Sequence, residues 1–306
     1  MINKETYIIV LNFNGYNDTI ECVQSILNSY IYSKLKIIIV DNNSNDNSYQ
    51  KLKTYFKKNK LVYILKNNVN NGYANGNNIG IKYALDKKAD YIWILNNDVI
   101  IEKYTIKYLI EAYERHNKAF FGTIVYDYNN NKISYFGASV DKKFHVKYFT
   151  DINNLNKSVT VDLPTDFLCG VSIFAHRSLW EKYKLPEEYF LYEEDLDFSL
   201  KLKQDNIPMY IVADAKIYHK ESASTNKLSY IKYYYLQRNK LMIINKYAKN
   251  PWKTCFFIKK FFIFPFRTIR RLIKGICVNK EYLYYTKYEV KAFCDFWRGK
   301  VGRFDD

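Results

Sequence analysis

The chain is poor in the residues that staple a fold or interrupt it. It holds five cysteines, five prolines and four histidines in 306 residues. Cys22, Cys169, Cys255, Cys277 and Cys294 are scattered, no two form Cys-x-x-Cys, and their number is odd. That argues against a disulfide framework or a zinc site and suits a reducing compartment. No stretch of about 18 uninterrupted apolar residues exists, so no transmembrane helix is expected. The nearest candidate, CFFIKKFFIFPFRTIRR, is broken by Lys259-Lys260 and Pro265. The opening MINKETYIIVLNFNG has too short an apolar run for a signal peptide and leads straight into patterned sequence. Internal repeats and long linkers are also missing.

What is present is a large apolar share, 48%, enough for a substantial core. The length suits one large domain, or one domain with an appendage. The formal net charge is +16, which fits nucleic acid, an acidic membrane face or an anionic substrate. Its distribution is uneven. Residues 227–306 carry 19 Lys/Arg and 5 Asp/Glu, a balance of +14; the first 226 carry 28 and 26, only +2. The basic character belongs to the C-terminal quarter.

Along the chain, YIIVL (7–11), LKIIIV, LVYIL and YIWIL (91–95) read as buried strands. Helical patterns follow the first to about Tyr30, and recur at 47–58 and 77–87. Continuous apolar strands alternating with helices imply a parallel sheet with covering helices. Each strand runs into a polar Asn/Asp/Gly loop, and α/β sheets bind ligands beyond those strand ends. The pattern weakens from Tyr126 to Asp166, where short strands or a hairpin are expected. FLCGVSIFAHRSLWEKY reads as strand then helix, YFLYEEDLDFSLKLKQDN as a loop feeding a helix, and MYIVADAKIYH as a late strand. The chain beyond Ser229 reads as helical.

Taken alone, the motifs have bland readings. Asn96-Asn97-Asp98 is turn chemistry, as are Asn12 and Asn14. The glycines of NNGYANGNNIG permit positive φ or close approach to a ligand. The acidic cluster Glu193, Glu194, Asp195 and Asp197 suits a helix N-terminus. A lone His219 is more often structural than a ligand, and Arg238 could join an interhelical salt bridge.

In their order and spacing, six segments resemble family 2 glycosyltransferases. They are VLNFNGYNDTIECVQSIL, IIIVDNNSNDNS, NNGYANGNNIGIKYAL, WILNNDV, FLCGVSIFAHRSLW and YFLYEEDLDFSLKLKQDN. The likeness covers roughly residues 5 to 245 and is closest to the rhamnosyltransferase-like branch that builds bacterial surface polysaccharides. It implies a GT-A fold, a mostly parallel central sheet flanked by helices, with residues 1–226 as catalytic domain and 227–306 as a basic, aromatic-rich helical region. It implies a nucleotide-sugar donor, Mn²⁺ or Mg²⁺, and inversion at the anomeric carbon. Asp98 would bind the metal, with His219 beside it. The family's Asp-x-Asp begins here with Asn96, which leaves Asp98 as the one strong ligand of that motif. Asp41 would read the base, flanked by Asn12, Asn14 and Asn43. Asn71, Gly72, Ala74, Asn77, Asn96 and Asn97 would line the donor, and Arg238 of the Arg-Asn pair would hold phosphate. Asp195 would be the general base, with Glu194 as the alternative.

The tail WKTCFFIKKFFIFPFRTIRR mixes Phe/Ile/Trp with Lys/Arg and reads as an interfacial segment. That suits a cytoplasmic enzyme held at the inner face of the plasma membrane, acting on a glycan or polyprenyl-diphosphate-linked acceptor. A helical cap or a homo-oligomer contact explains the same composition. Two rival classes remain. A nucleic-acid binder would use the basic residues, but these avoid the strand-end loops and no RNA-binding signature occurs, so no nucleic acid partner is expected. A non-catalytic scaffold would be expected to lose Asp98 or the Glu194-Asp195 pair, and both are kept.

Overall fold

The apolar runs of the N-terminal half form the strands expected of them. The computed structural model describes residues 4–30, 34–151, 162–220 and 229–304. Strand β1 (Glu5–Asn12) leads to helix α1 (Tyr16–Leu27), β2 (Lys34–Asp41), α2 (Ser48–Tyr55), β3 (Val62–Lys66), α3 (Tyr73–Asp86) and β4 (Tyr91–Asn96). β1 lies between β2 and β4, parallel to both, and β3 adds parallel to β2. Ile8–Val10, Ile37–Val40 and Ile92–Leu95 are fully buried, because helices cover both faces of this half. The register pairs Asn12 with Asp41 and Leu11 with Asn96. Polar strand ends are thereby brought level at one edge of the sheet.

The chain then turns back in a short β5 (Val99–Ile101), followed by α4 (Thr105–Arg115), β6 (Phe120–Asp127) and β7 (Ile133–Tyr135). β8 (Ala138–Val140) and β9 (Val146–Tyr148) form a separate antiparallel hairpin. This is the weakly patterned stretch; its residues 152–161 lie outside those described. β10 (Leu163–Pro164), β11 (Ser172–His176), α5 (Arg177–Trp180), a 3₁₀ turn at Glu187–Tyr189, α6 (Glu194–Gln204) and β12 (Met209–His219) complete the α/β part. β11 inserts antiparallel between β4 and β6, and β12 runs parallel to β6. The sheet is therefore mixed. Its order is β10-β12-β6-β11-β4-β1-β2-β3, with β5 on β12 and β7 on β6.

Three helices end the chain: α7 (Ser229–Tyr247), α8 (Trp252–Cys277) and α9 (Glu281–Trp297). α9 packs on both α7 and α8. A second small core joins Tyr234, Tyr235 and Ala292 to Phe190, Leu191, Tyr192, Tyr288 and Phe304. Contacts thus cross the boundary expected at 226/227. No helix among the described residues is long and apolar enough to cross a membrane.

Candidate active site

One end of the candidate site is built from the β1, β2 and β3 strand ends. Asp41 is fully buried, and a buried carboxylate needs partners. Its Oδ2 accepts from Asn12 Nδ2 at 2.7 Å and its Oδ1 from Ser44 N at 3.1 Å. Asn12 Oδ1 accepts in turn from Thr19 Oγ1 (2.8 Å) and Gly15 N (3.2 Å). Asn14 Oδ1 accepts from Asn45 N at 2.9 Å. Asn14 and Asn43 sit at φ 53° and 62°, left-handed positions that asparagine tolerates. Sequence reasoning missed Asn42 and Thr19. Asn42 is buried and ties the β2–α2 loop to the β3–α3 loop: its amide donates to Asn70 Oδ1 and Gly72 O, and it accepts from Asn67 Nδ2. Asn42 stands beside Asp41 in VDNNS, which was the available signal.

Asp98 lies in the tight turn from β4 to β5. β5 pairs with the end of β12, placing Val99 opposite His219. Nε2 of His219 consequently lies 3.1 Å from Asp98 Oδ1, both side chains largely buried. The two residues expected at a metal are therefore neighbours. A carboxylate oxygen suits Mg²⁺ or Mn²⁺, and an imidazole nitrogen can add a second donor to a transition metal. Among the described residues no group of three or more His, Cys, Asp or Glu could hold a metal. Asn97 instead donates to Thr19 Oγ1 at 3.0 Å, tying the β4 end to α1. Asn96 uses its backbone N–H to bond Val171 O at 3.0 Å.

The glycine-rich loop differs from the reading given above. Helix α3 starts at Tyr73, not 77, so Gly76 and Gly80 lie inside it. A Cβ on Gly80 would come 2.5 Å from Ile9 Cγ2, and one on Gly76 would strike Leu11. These two glycines let α3 approach the sheet closely; they serve packing rather than a ligand. Ala74 and Asn77 are buried, whereas Asn71 is exposed at the loop tip. Gly72 alone has positive φ, 93°, and its Cα abuts the backbone of Phe190.

The acidic cluster sorts into separate roles. Asp197 is buried and already satisfied by Tyr189 Oη, Tyr247 Oη (2.6 Å) and Lys246 Nζ (2.7 Å). Asp195 Oδ2 accepts from Gly170 N at 3.2 Å, and its Oδ1 from Leu196 N at 2.9 Å. Burial raises the Asp195 carboxyl above its ordinary range, and these backbone N–H groups oppose the rise. Glu194 is raised further, first by burial and then by the Asp195 charge, and its Oε2 is buried with no hydrogen-bond partner. Glu193 is pushed up to about 7, chiefly by burial, with Lys240 opposing. Residues of the 168–171 loop connect this cluster to the β4 end. Gly170 N holds Asp195, and Val171 O accepts from Asn96 N, two residues before Asp98. Tyr73 Oη, from the start of α3, bonds Gly170 O and pins the same loop.

A cavity of about 560 Å³ opens on these carboxylates. Glu193, Glu194 and Asp195 form one wall; Tyr148 and Tyr192 add aromatic surface, with Phe167 buried against Tyr148. Tyr148 and Phe167 stack at 5.8 Å. An aromatic face beside carboxyl groups suits a ring that is apolar on its faces and hydroxylated at its rim.

Arg238 stands apart from the expected donor set. It is fully buried on α7, and its guanidinium bonds Tyr189 O, Gly302 O, Tyr234 Oη and Asn239 Oδ1. Those contacts commit its fork to the protein, so the phosphate contact expected from the Arg-Asn pair does not carry over.

The fold and this arrangement of strand-end residues define a GT-A glycosyltransferase. The chain belongs to glycosyl transferase family 2, whose model matches residues 7–178. It is 23% identical to the dTDP-rhamnosyl transferase RfbF of Shigella flexneri, over 80% of this chain and 81% of that protein. Its structure is similar to that of GalNAc-T7, solved with UDP, GalNAc and Mn²⁺, at a TM-score of 0.60 and 17% identity. It is also similar to S. aureus TarS, at 0.53 and 17%. The matches cover 72% and 81% of this chain, but only 44% and 41% of those two longer chains.

Proposed function

We propose that this glycosyltransferase is inverting and divalent-metal-dependent. It moves a sugar from dTDP-rhamnose or a UDP-hexose to a glycan or lipid-linked acceptor during synthesis of a bacterial surface polysaccharide. The observation that carries the reading is the bracing of Asp195 to the Asp98 strand end through Gly170, Val171 and Asn96. The name of the Shigella relative supports a dTDP-rhamnose donor; the UDP and Mn²⁺ of GalNAc-T7 support a metal-bound diphosphate.

In this reading Asp41 and Asn12 recognise the nucleoside. Asp98 and His219 would hold Mn²⁺ or Mg²⁺. Bound there, the ion supplies Lewis-acid stabilisation of charge on the departing diphosphate. Asp195, ionised, accepts the proton of the acceptor hydroxyl. The hydroxyl oxygen bonds to the anomeric carbon as the bond to phosphate breaks. The electron pair leaves with the nucleoside diphosphate, and one displacement inverts the carbon. Glu194, which lines the same cavity, orients the acceptor, whose ring rests against Tyr148.

We also place the enzyme at the inner membrane face through α8. This helix bears Lys253, Lys259, Lys260, Arg267, Arg270, Arg271 and Lys274 and no acidic residue. Phe261, Phe262, Phe266, Ile269, Ile273 and Ile276 are exposed along it. Burial of those side chains and attraction to anionic lipid act together.

The deciding experiment is a calorimetric and transfer panel of UDP- and dTDP-sugars with and without Mn²⁺. Metal-dependent binding of one donor, followed by transfer with inverted configuration, is expected. Binding that ignores the metal, or product of retained configuration, would sink the mechanism.

A further inference from the structure

The segment between the 3₁₀ turn and α6 is held in a conformation that its own residues disfavour. Phe190, Tyr192 and Glu193 lie at φ 68°, 67° and 72°. Phe190, with ψ −61°, occupies the rare γ-turn region. No glycine is present to relieve the segment, so something outside it must hold it there. Glu193, Glu194 and Asp195 follow directly.

The holding groups come from α7. Asn239 Nδ2 donates to Tyr192 O at 2.8 Å, Leu191 O at 2.9 Å and Tyr189 O at 3.2 Å. Arg238 Nη2 donates to Tyr189 O at 2.9 Å, and its Nε to Asn239 Oδ1 at 3.0 Å, fixing that amide's orientation. Both residues are fully buried. Tyr234 and Tyr235 lie against the guanidinium at 5.3 and 5.2 Å, and Tyr235 stacks on Phe190 at 5.3 Å. The C-terminal segment closes the arrangement: Gly302 O accepts from Arg238 Nη1, and Gly302 N donates to Glu188 O. On the other side Tyr73 N donates to Phe190 O at 2.9 Å.

We infer that Arg238 and Asn239 are positioning residues, whose clamp on the carbonyls of Tyr189, Leu191 and Tyr192 sets where Glu194 and Asp195 stand. This rests on the proposed role of Asp195. The pair touches neither donor nor acceptor. Three converging carbonyls need a cluster of donors, and an amide oriented by a guanidinium provides one. Lysine in place of Arg238 would keep the charge but lose the planar fork. The C-terminal helices are thus a working part of the catalytic centre.

The test compares Asn239→Ala and Arg238→Lys with the wild type in the full chain. Three quantities are read: kcat, donor affinity by calorimetry, and amide hydrogen exchange over residues 189–196. The clamp requires kcat to fall roughly 10²-fold, the scale of a catalytic group moved by about 1 Å. Donor affinity should change far less than kcat, because its site is built on the β1, β2, β3 and β4 strand ends and meets the clamped segment only around Gly72 and Tyr73. Exchange should quicken over 189–196 and not at those strand ends. Unchanged kcat, or donor affinity lost in step with kcat, would overturn the inference. If Asn239→Ala fails to fold, Arg238→Lys decides by the same criteria. If the wild type transfers no sugar, the proposed function falls instead, and the exchange measurement alone judges the clamp: unaltered rates over 189–196 would reject it.

Discussion

Nε2 of His219 stands 3.1 Å from Oδ1 of Asp98. One residue ends β12 and the other directly precedes β5, so the β5–β12 ladder is what makes them neighbours. If the pair holds the ion, Asp98→Ala should weaken metal-dependent donor binding by about a hundredfold, the scale of a lost charged partner. His219→Ala should weaken it less. Titrations with and without Mn²⁺ check this, and an unaltered metal response in Asp98→Ala would remove it from the ligand set.

Asp195→Asn should lower kcat by roughly 10²–10⁴-fold, the usual worth of a positioned base. Donor affinity should be retained, since Asp195 contacts the 168–171 loop and not the β1 and β2 strand ends. A donor Kd that rises with the fall in kcat would move Asp195 out of the base role.

The raised carboxyls make stability depend on pH in a definite direction. Glu193 moves from an ordinary 4.5 to about 7 on folding, and Glu194 is also raised. The folded state then binds these protons more tightly than the unfolded state. Their contribution is fully present below the unfolded value and is lost as pH rises through the folded one, for Glu193 between about 4.5 and 7. Glu193→Gln should therefore flatten the fall in melting temperature over that window. Parallel melts at pH 5 and pH 8 would reveal it; a curve as steep as the wild type's would refute the assignment.

Glycine substitutions should separate scaffold from site. Gly80→Ala sets a Cβ against Ile9 in the core and should cost about 1–3 kcal/mol, partly offset by about 1 kcal/mol of helix propensity. Gly72→Ala meets the Phe190 backbone at positive φ. It should lower kcat as well as stability, because that backbone leads into Glu193–Asp195. Denaturation midpoints beside kcat give the contrast, and equal kcat losses in both variants would contradict it.

For α8, Lys259→Glu with Arg270→Glu should release the protein from vesicles containing phosphatidylserine. Removing two cations at about 1 kcal/mol each weakens binding roughly 30-fold before counting the new acids. Sedimentation with neutral and anionic vesicles checks this. Equal binding to both kinds would leave the apolar face without its electrostatic partner.

The parallel half of the sheet was legible because each strand is a continuous apolar run that gives way to a polar Asn- or Asp-containing loop. The strand-end positions of Asp41 and Asp98 were legible for the same reason, because position at a strand end is a local property; the roles given to them came from the family resemblance. Gly76 and Gly80 were misread because a glycine that admits a neighbouring strand looks, in sequence, like one that admits a ligand. Which applies depends on Ile9 and Leu11, more than sixty positions away. Arg238 was misread for a related reason. Its partners are main-chain carbonyls of Tyr189 and Gly302, and a carbonyl leaves no mark in composition. The sorting of the acidic cluster needed Lys246 and Tyr247 to be seen on Asp197, which only the α6–α7 contact supplies.

The clamp also restricts how this chain can be recombined. Swapping the C-terminal helices between relatives at residue 227, where composition shifts, would part Arg238 and Asn239 from the loop they hold. A chimera built to exchange acceptor preference should instead carry residues 187–304 as one inherited block, loop and helices together.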